Sequence, residues 1–141
     1  MKKELVTVLA CILLCLMIGC VHKDYASYAT INVQNNSLYD LKLSIFSFDD
    51  LTETFQEIIY ADDIIVRKNS TYSFRVWGTL GSQEAPDPND SINRIVFINL
   101  HDHSILKDVE NKNLFKFTNR IENRNYVEDV YALVITNELL Q

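Results

Sequence analysis

The chain has 141 residues, of which 48% are hydrophobic and 23% charged, and its formal net charge is −6. An acidic balance with no stripe of Lys or Arg lacks the positive footprint that nucleic acid requires, which argues against that class of partner. All three cysteines, Cys11, Cys15 and Cys20, fall within the first 20 residues, so the rest of the chain has neither disulfide nor free thiol and must be held by packing. A chain of roughly this length buries about two thirds of its unfolded surface around one core.

The chain opens with Lys2 and Lys3, continues through an apolar run from Leu5 to Ile18, and places Gly19 just before Cys20. A positive start, a greasy middle and a small residue form the layout of a cleavable secretory signal. A spanning helix needs ~20 apolar residues, and this run carries Glu4 and stops at Gly19, so an uncleaved anchor fits less well. Leu16-Met17-Ile18-Gly19-Cys20 resembles the lipobox of bacterial lipoproteins, with Met17 where leucine is usual. The resemblance implies that Cys20 is acylated, that the chain is cut before it, and that the protein is lipid-anchored in the bacterial cell envelope, at the outer membrane. An earlier match, Val8-Leu9-Ala10-Cys11, leaves too few apolar residues for a signal core. The expected organisation is a signal peptide over 1–19, a lipidated cysteine and tether over 20–27, and one domain over 28–141. Removing Lys2, Lys3 and Glu4 leaves 11 basic and 18 acidic residues, a net charge of −7. The tether V-H-K-D-Y-A-S resembles, through Asp24, the post-cysteine segment of surface lipoproteins in Bacteroidota.

In the domain, Tyr28 to Gln34 alternates with Ile31 and Val33 on one face, and Asn35-Asn36-Ser37 supplies turn chemistry. Tyr39 to Phe48 alternates again, with Tyr39, Leu41, Leu43 and Ile45 inward; Phe46 and Phe48 reverse the parity, which predicts a bulge near Ile45. Residues 49–61 fit either a short helix or a loop leading to a strand over 57–60, and the strand is preferred. Ile64 to Arg67, a turn at Asn69-Ser70, and Thr71 to Trp77 read as a hairpin-like unit, with Tyr72, Phe74 and Val76 sharing a face. Gly78 to Asp90, with both prolines, reads as an exposed loop. Ile92 to Leu100 is apolar on both parities, as a central strand covered on both faces would be. A short strand over 114–117 follows a charged turn, and a long one over 126–136 closes the chain.

Many short strands, evenly spaced turns and no convincing helix predict an all-β fold, a two-layer antiparallel sandwich of immunoglobulin-like form. The lipobox, an early I-N-V-Q-N-N strand and a late Y-A-L-V-I-T-N-E strand together resemble the small sandwich lipoproteins of Bacteroidota. That resemblance implies a place and a fold, and no activity.

Chemistry is sparse. His101-Asp102-His103 puts two imidazoles on one side if the strand persists, but zinc wants three or four ligands, and a solvated turn is the stronger reading. Asp87, Asn89 and Asp90 lack the glycine and distal glutamate of a calcium loop. The pairs Asp49-Asp50 and Asp62-Asp63 point apart on an extended backbone. No G-x-S-x-G elbow and no phosphate-cradling glycine loop is present. The expectation is a non-enzymatic, cofactor-free binding or presentation module, acting on another envelope protein or a glycan. The rivals are a fimbrial or adhesin-like subunit that donates a strand to its neighbour, and a small envelope hydrolase whose site leaves no motif. Trp77, the only tryptophan, is the candidate contact residue. Against that stands a capping role beneath the Gly78–Asp90 loop, within the core.

Overall fold

Two long strands rich in β-branched residues organise the architecture. The structure, a computed structural model, describes residues 25–49, 54–57, 63–78, 81–111 and 113–141. The signal peptide, Cys20, His22, Asp50 and Asp62 lie outside the described residues. Strands β1 (Ala26–Asn35) and β9 (Tyr126–Ile135) run parallel, in register from Ala26 beside Tyr126 to Asn35 beside Ile135. On the far side of β1 lies β5 (Ser70–Trp77), and on the far side of β9 lies β8 (Lys116–Glu122), both antiparallel to their neighbours. This four-stranded sheet has the order β5-β1-β9-β8.

The second sheet is antiparallel. Its centre pairs β2 (Leu41–Asp49) with β6 (Arg94–Asn99), and β7 (Ile105–Glu110) forms one edge. The other side of β2 is shared by β3 (Thr54–Glu57) and β4 (Ile64–Val66), which pair with successive halves of it. A single helical turn, α1 (Pro88–Ser91), precedes β6. The fold is therefore all-β, two packed sheets made mostly of antiparallel pairs. Ile31, Val33, Phe74, Leu133 and Ile135 of the first sheet bury against Leu41, Leu43, Ile45, Ile95 and Phe97 of the second, and Ile92 and Phe115 join the same cluster. The alternation in β1, β2 and β9 is what lets each strand deliver one apolar row to this layer.

Several expectations need correction. The register from Leu41 beside Asn99 to Phe46 beside Arg94 is unbroken, so there is no bulge at Ile45. Phe46 stays on the outer face, where the Arg94 guanidinium covers its ring at 5.2 Å; the apparent change of parity was an aromatic shielded by a cation. Tyr39 is exposed rather than inward, because it belongs to the turn before β2. β4 and β5 form no hairpin. The turn after β4, with Asn69 at φ 56°, carries the chain from one sheet to the other. Of the strand expected over 57–60, only Glu57 is described, as the end of β3; the remainder lies outside the described residues.

β6 is central, and Ile95, Val96 and Phe97 are buried, but Ile98 on the outer face is only partly covered. β7 carries no clean apolar alternation and was not anticipated. β8 extends to Glu122, beyond the expected 114–117, through a run exposed along its whole length. β1 also takes in Ala26 and Ser27, two residues of the expected tether.

Candidate functional site

The sandwich has two chemically different ends. At the end where β1 begins, the register places Trp77 beside Tyr28 and Ala26 beside Tyr126. Their rings form a row across the outer face of the four-stranded sheet. Tyr28 lies 5.2 Å from Trp77 with the planes tilted by 54°, and 5.7 Å from Tyr126 in a stacked arrangement. The Arg75 guanidinium sits 4.7 Å from the Tyr28 ring. The Tyr28 and Thr30 hydroxyls donate to Glu128 at 3.3 and 2.6 Å. Tyr28 is thus the covered middle of the row, 8% exposed, while Trp77 is 65% exposed. Burial, and then the Glu128 charge, push the Tyr28 phenol above its ordinary range.

The segment after Trp77 is fastened to the start of β1. Gly78 donates to the Ser27 carbonyl at 2.8 Å and Gly81 donates to that of Tyr25 at 3.0 Å. A Cβ at Gly78 would stand 2.4 Å from Ser27 Oγ and 3.2 Å from the Ser27 carbonyl oxygen, so only glycine allows this approach. Further along, Asp87 caps α1 through Asn89 N–H at 2.8 Å. The Asn89 amide in turn bridges the Phe115 backbone, donating at 3.0 Å and accepting at 3.1 Å. Asp87 and Asn89 are thus occupied in fastening the loop to the chain before β8.

At the opposite end Asn35 is fully buried and uses its whole amide. Nδ2 donates to the carbonyls of Tyr39 at 2.8 Å and Val66 at 2.9 Å, and Oδ1 accepts from the Ser37 N–H and hydroxyl. This knot fixes the turn between β1 and β2. Leu38 stands at its tip, 75% exposed, with its N–H held by Asn137 Oδ1 at 3.0 Å. Beside it a shallow groove of about 460 Å³ is lined by Leu38, Tyr39, Asp40, Lys68, Asn99, Leu100 and His101.

His101 and His103 lie at this end in the turn after β6, which stops at Asn99. His103 has φ 59°, so the strand does not continue through the pair and the geometry that would align two imidazoles is lost. Asp102 accepts from the Ser104 hydroxyl and N–H, and these bonds hold its carboxyl below the usual range. Asp63 pairs with Lys42 at 2.9 Å. Among the described residues, no three His, Cys, Asp or Glu side chains gather into a group able to hold a metal.

Of the residues singled out in the sequence, Trp77 is described, and its exposure overturns the core-capping alternative. Cys20 lies outside the described residues. Tyr28 and Tyr126 were missed as its companions because the row depends on strand order, and nothing local in the sequence encodes that. Leu38 had a readable signal, an apolar residue between Asn36-Ser37 and the next strand. No family model, curated protein or solved structure matches the chain.

Proposed function

We propose that the chain is a non-enzymatic, lipid-anchored module of the bacterial outer membrane, acylated at Cys20, that presents the Leu38 end of its sandwich to another envelope protein. The observation that carries the reading is Leu38 itself. A large aliphatic side chain stands out at 75% exposure on a turn whose backbone is fixed by hydrogen bonds, so the backbone carrying it needs no ordering on docking. The groove beside it adds Tyr39 and Leu100 as apolar lining, with Lys68 and His101 as polar lining, the mixture that protein contacts use. An immunoglobulin-like form belongs to the same proposal. It is supported by four crossings of the chain between the sheets and by loops gathered at the two ends.

The fimbrial alternative draws less support. β1 and β9, the strands that donation would employ, pair with each other inside the domain. The β8 edge carries Lys116, Arg120 and Glu122 and an irregular register between Phe117 and Asn119, features that discourage a further strand.

A photo-reactive residue at position 38 in live cells tests the contact. The expected result is one cross-linked envelope protein, absent when the probe sits at Ile121, which the register places beside Glu128 at the opposite end, and lost on Tyr39→Asp. The same products from both positions would overturn the assignment of this end. Cys20→Ser tests the anchor separately: the variant should leave the membrane fraction and fold unchanged, and incorporation of labelled fatty acid into it would refute Cys20 as the attachment point.

A further inference from the structure

Trp77 lies at the end of the domain where β1 begins, the end from which the chain leads back toward Cys20. Four residues lie between Cys20 and Tyr25, and five steps of an extended chain at ~3.6 Å each keep Tyr25 within about 18 Å of Cys20 whatever path lies between. Trp77 is paired directly with Tyr28, and the chain just after it is bonded to Ser27 and Tyr25. The largest exposed aromatic of the domain is therefore carried at the end nearest in sequence to Cys20.

We infer that the outer face at this end, Trp77 with Tyr126 and Arg75 around the buried Tyr28 ring, docks into the phospholipid headgroup layer and fixes the orientation of the anchored domain. The inference rests on the lipid-anchor reading given above. Indole and phenol rings with an apolar body and a polar edge favour the membrane interface, and a guanidinium beside them suits the phosphates. Acyl chains supply the attachment, since two or more hold a protein stably without help. The rings add direction. With Trp77 down, the Leu38 groove at the opposite end of β1 points away from the membrane. A domain with no such contact would swing freely on its tether. The chain as a whole is acidic, so the aromatic rings rather than net charge carry the contact, and neutral bilayers are the membrane on which to look for it.

The test uses the full lipidated protein in phosphatidylcholine vesicles containing brominated acyl chains, with the single tryptophan as the probe. Mass measurement of the lipid on Cys20 and flotation with vesicles report the anchor; quenching of Trp77 reports the docking. The expected result is a protein that floats, whose Trp77 emission is blue-shifted, strongly quenched by lipids brominated near the headgroup, and shielded from aqueous iodide. A Trp77→Phe, Val134→Trp variant moves the probe to the far part of the same face and should be iodide-accessible and unquenched by lipid. A lipidated, floating protein whose Trp77 ignores brominated lipid overturns the docking and leaves the anchor standing. Equal quenching at positions 77 and 134 overturns it too, since the domain would then lie flat. A chain without lipid on Cys20 overturns the anchor, and this inference with it.

Discussion

The two ends of the sandwich solve the same problem with opposite materials. At the Leu38 end a single buried amide, Asn35, ties three backbone segments together through four short bonds, and the apolar tip is ordered because the polar centre is saturated. At the Trp77 end order comes from close backbone approach at Gly78 and from a row of three rings, one pair tilted and the other stacked. The difference matters for how each end fails. A buried hydrogen-bond knot loses its partners together, because each orphaned group is left in a dry interior. A surface row of rings loosens by degrees. The lone tryptophan belongs to the second end only, so its emission reports which end a substitution has reached.

The largest expected effect is one that spares neither end. Phe97 is fully buried in the central strand β6, facing the four-stranded sheet. Phe97→Ala should cost ~3–5 kcal/mol through lost burial and the cavity left behind. Denaturant melting followed by circular dichroism checks it, and a change near zero would mean that the core is not shared between the ends as described.

Asn35→Ala should come next, with a loss of ~2–4 kcal/mol, since it deprives the carbonyls of Tyr39 and Val66 and the Ser37 N–H of their partners. The comparison sharpens the prediction. Amide exchange should rise in the turn before β2 and around β4, while the Trp77 emission of the folded protein stays unchanged. A shifted Trp77 spectrum would show that the two ends are coupled. Gly78→Ala is the mirror experiment at ~1–3 kcal/mol, because its methyl group meets Ser27, itself buried, and must push the two strands apart. Here Trp77 emission should shift and exchange at Asn35 should not.

The sequence was most informative where one face of a strand is buried. β1, β2 and β9 alternate cleanly because each separates core from solvent, and the doubly apolar β6 lies in the middle of its sheet. β7 and β8 were the opposite case. They are edge strands with little to bury, so Lys107, Asp108, Asn119 and Arg120 leave no period to read, and β8 is held through pairing with β9 and the two-pronged bond from Arg120 to Asp129 at 2.6 and 2.8 Å. Phe46 misled for a physical reason, since a ring covered by Arg94, itself fixed by Asp108, behaves as a surface residue. Trp77 was recognisable as a candidate from its place before a glycine- and proline-rich segment. Its row was not, because Tyr28, Trp77 and Tyr126 are brought together only by the order β5-β1-β9. Asn35 read merely as a turn residue, and its buried amide depends on where β4 ends.

The smallest effect concerns protons at the Trp77 end. Burial, followed by the charge of Glu128, raises the Tyr28 phenol in the folded domain above its ordinary value, which is about 10 in an unfolded chain. The folded state therefore holds this proton more tightly than the unfolded state does. The resulting stability is fully present below about pH 10 and is lost as pH rises through the folded value. Tyr131, buried and near Asp87 and Asp129, is raised in the same direction and shares the alkaline loss. Tyr28→Phe should thus leave stability near neutrality lower by only ~1 kcal/mol, for the bond to Glu128, while flattening part of the fall above about pH 10. Denaturant midpoints across that range, measured for both proteins, decide the matter. Curves that remain parallel would show that Tyr28 gives up its proton as easily folded as unfolded, and that the aromatic row is open to water at its centre as well as at Trp77.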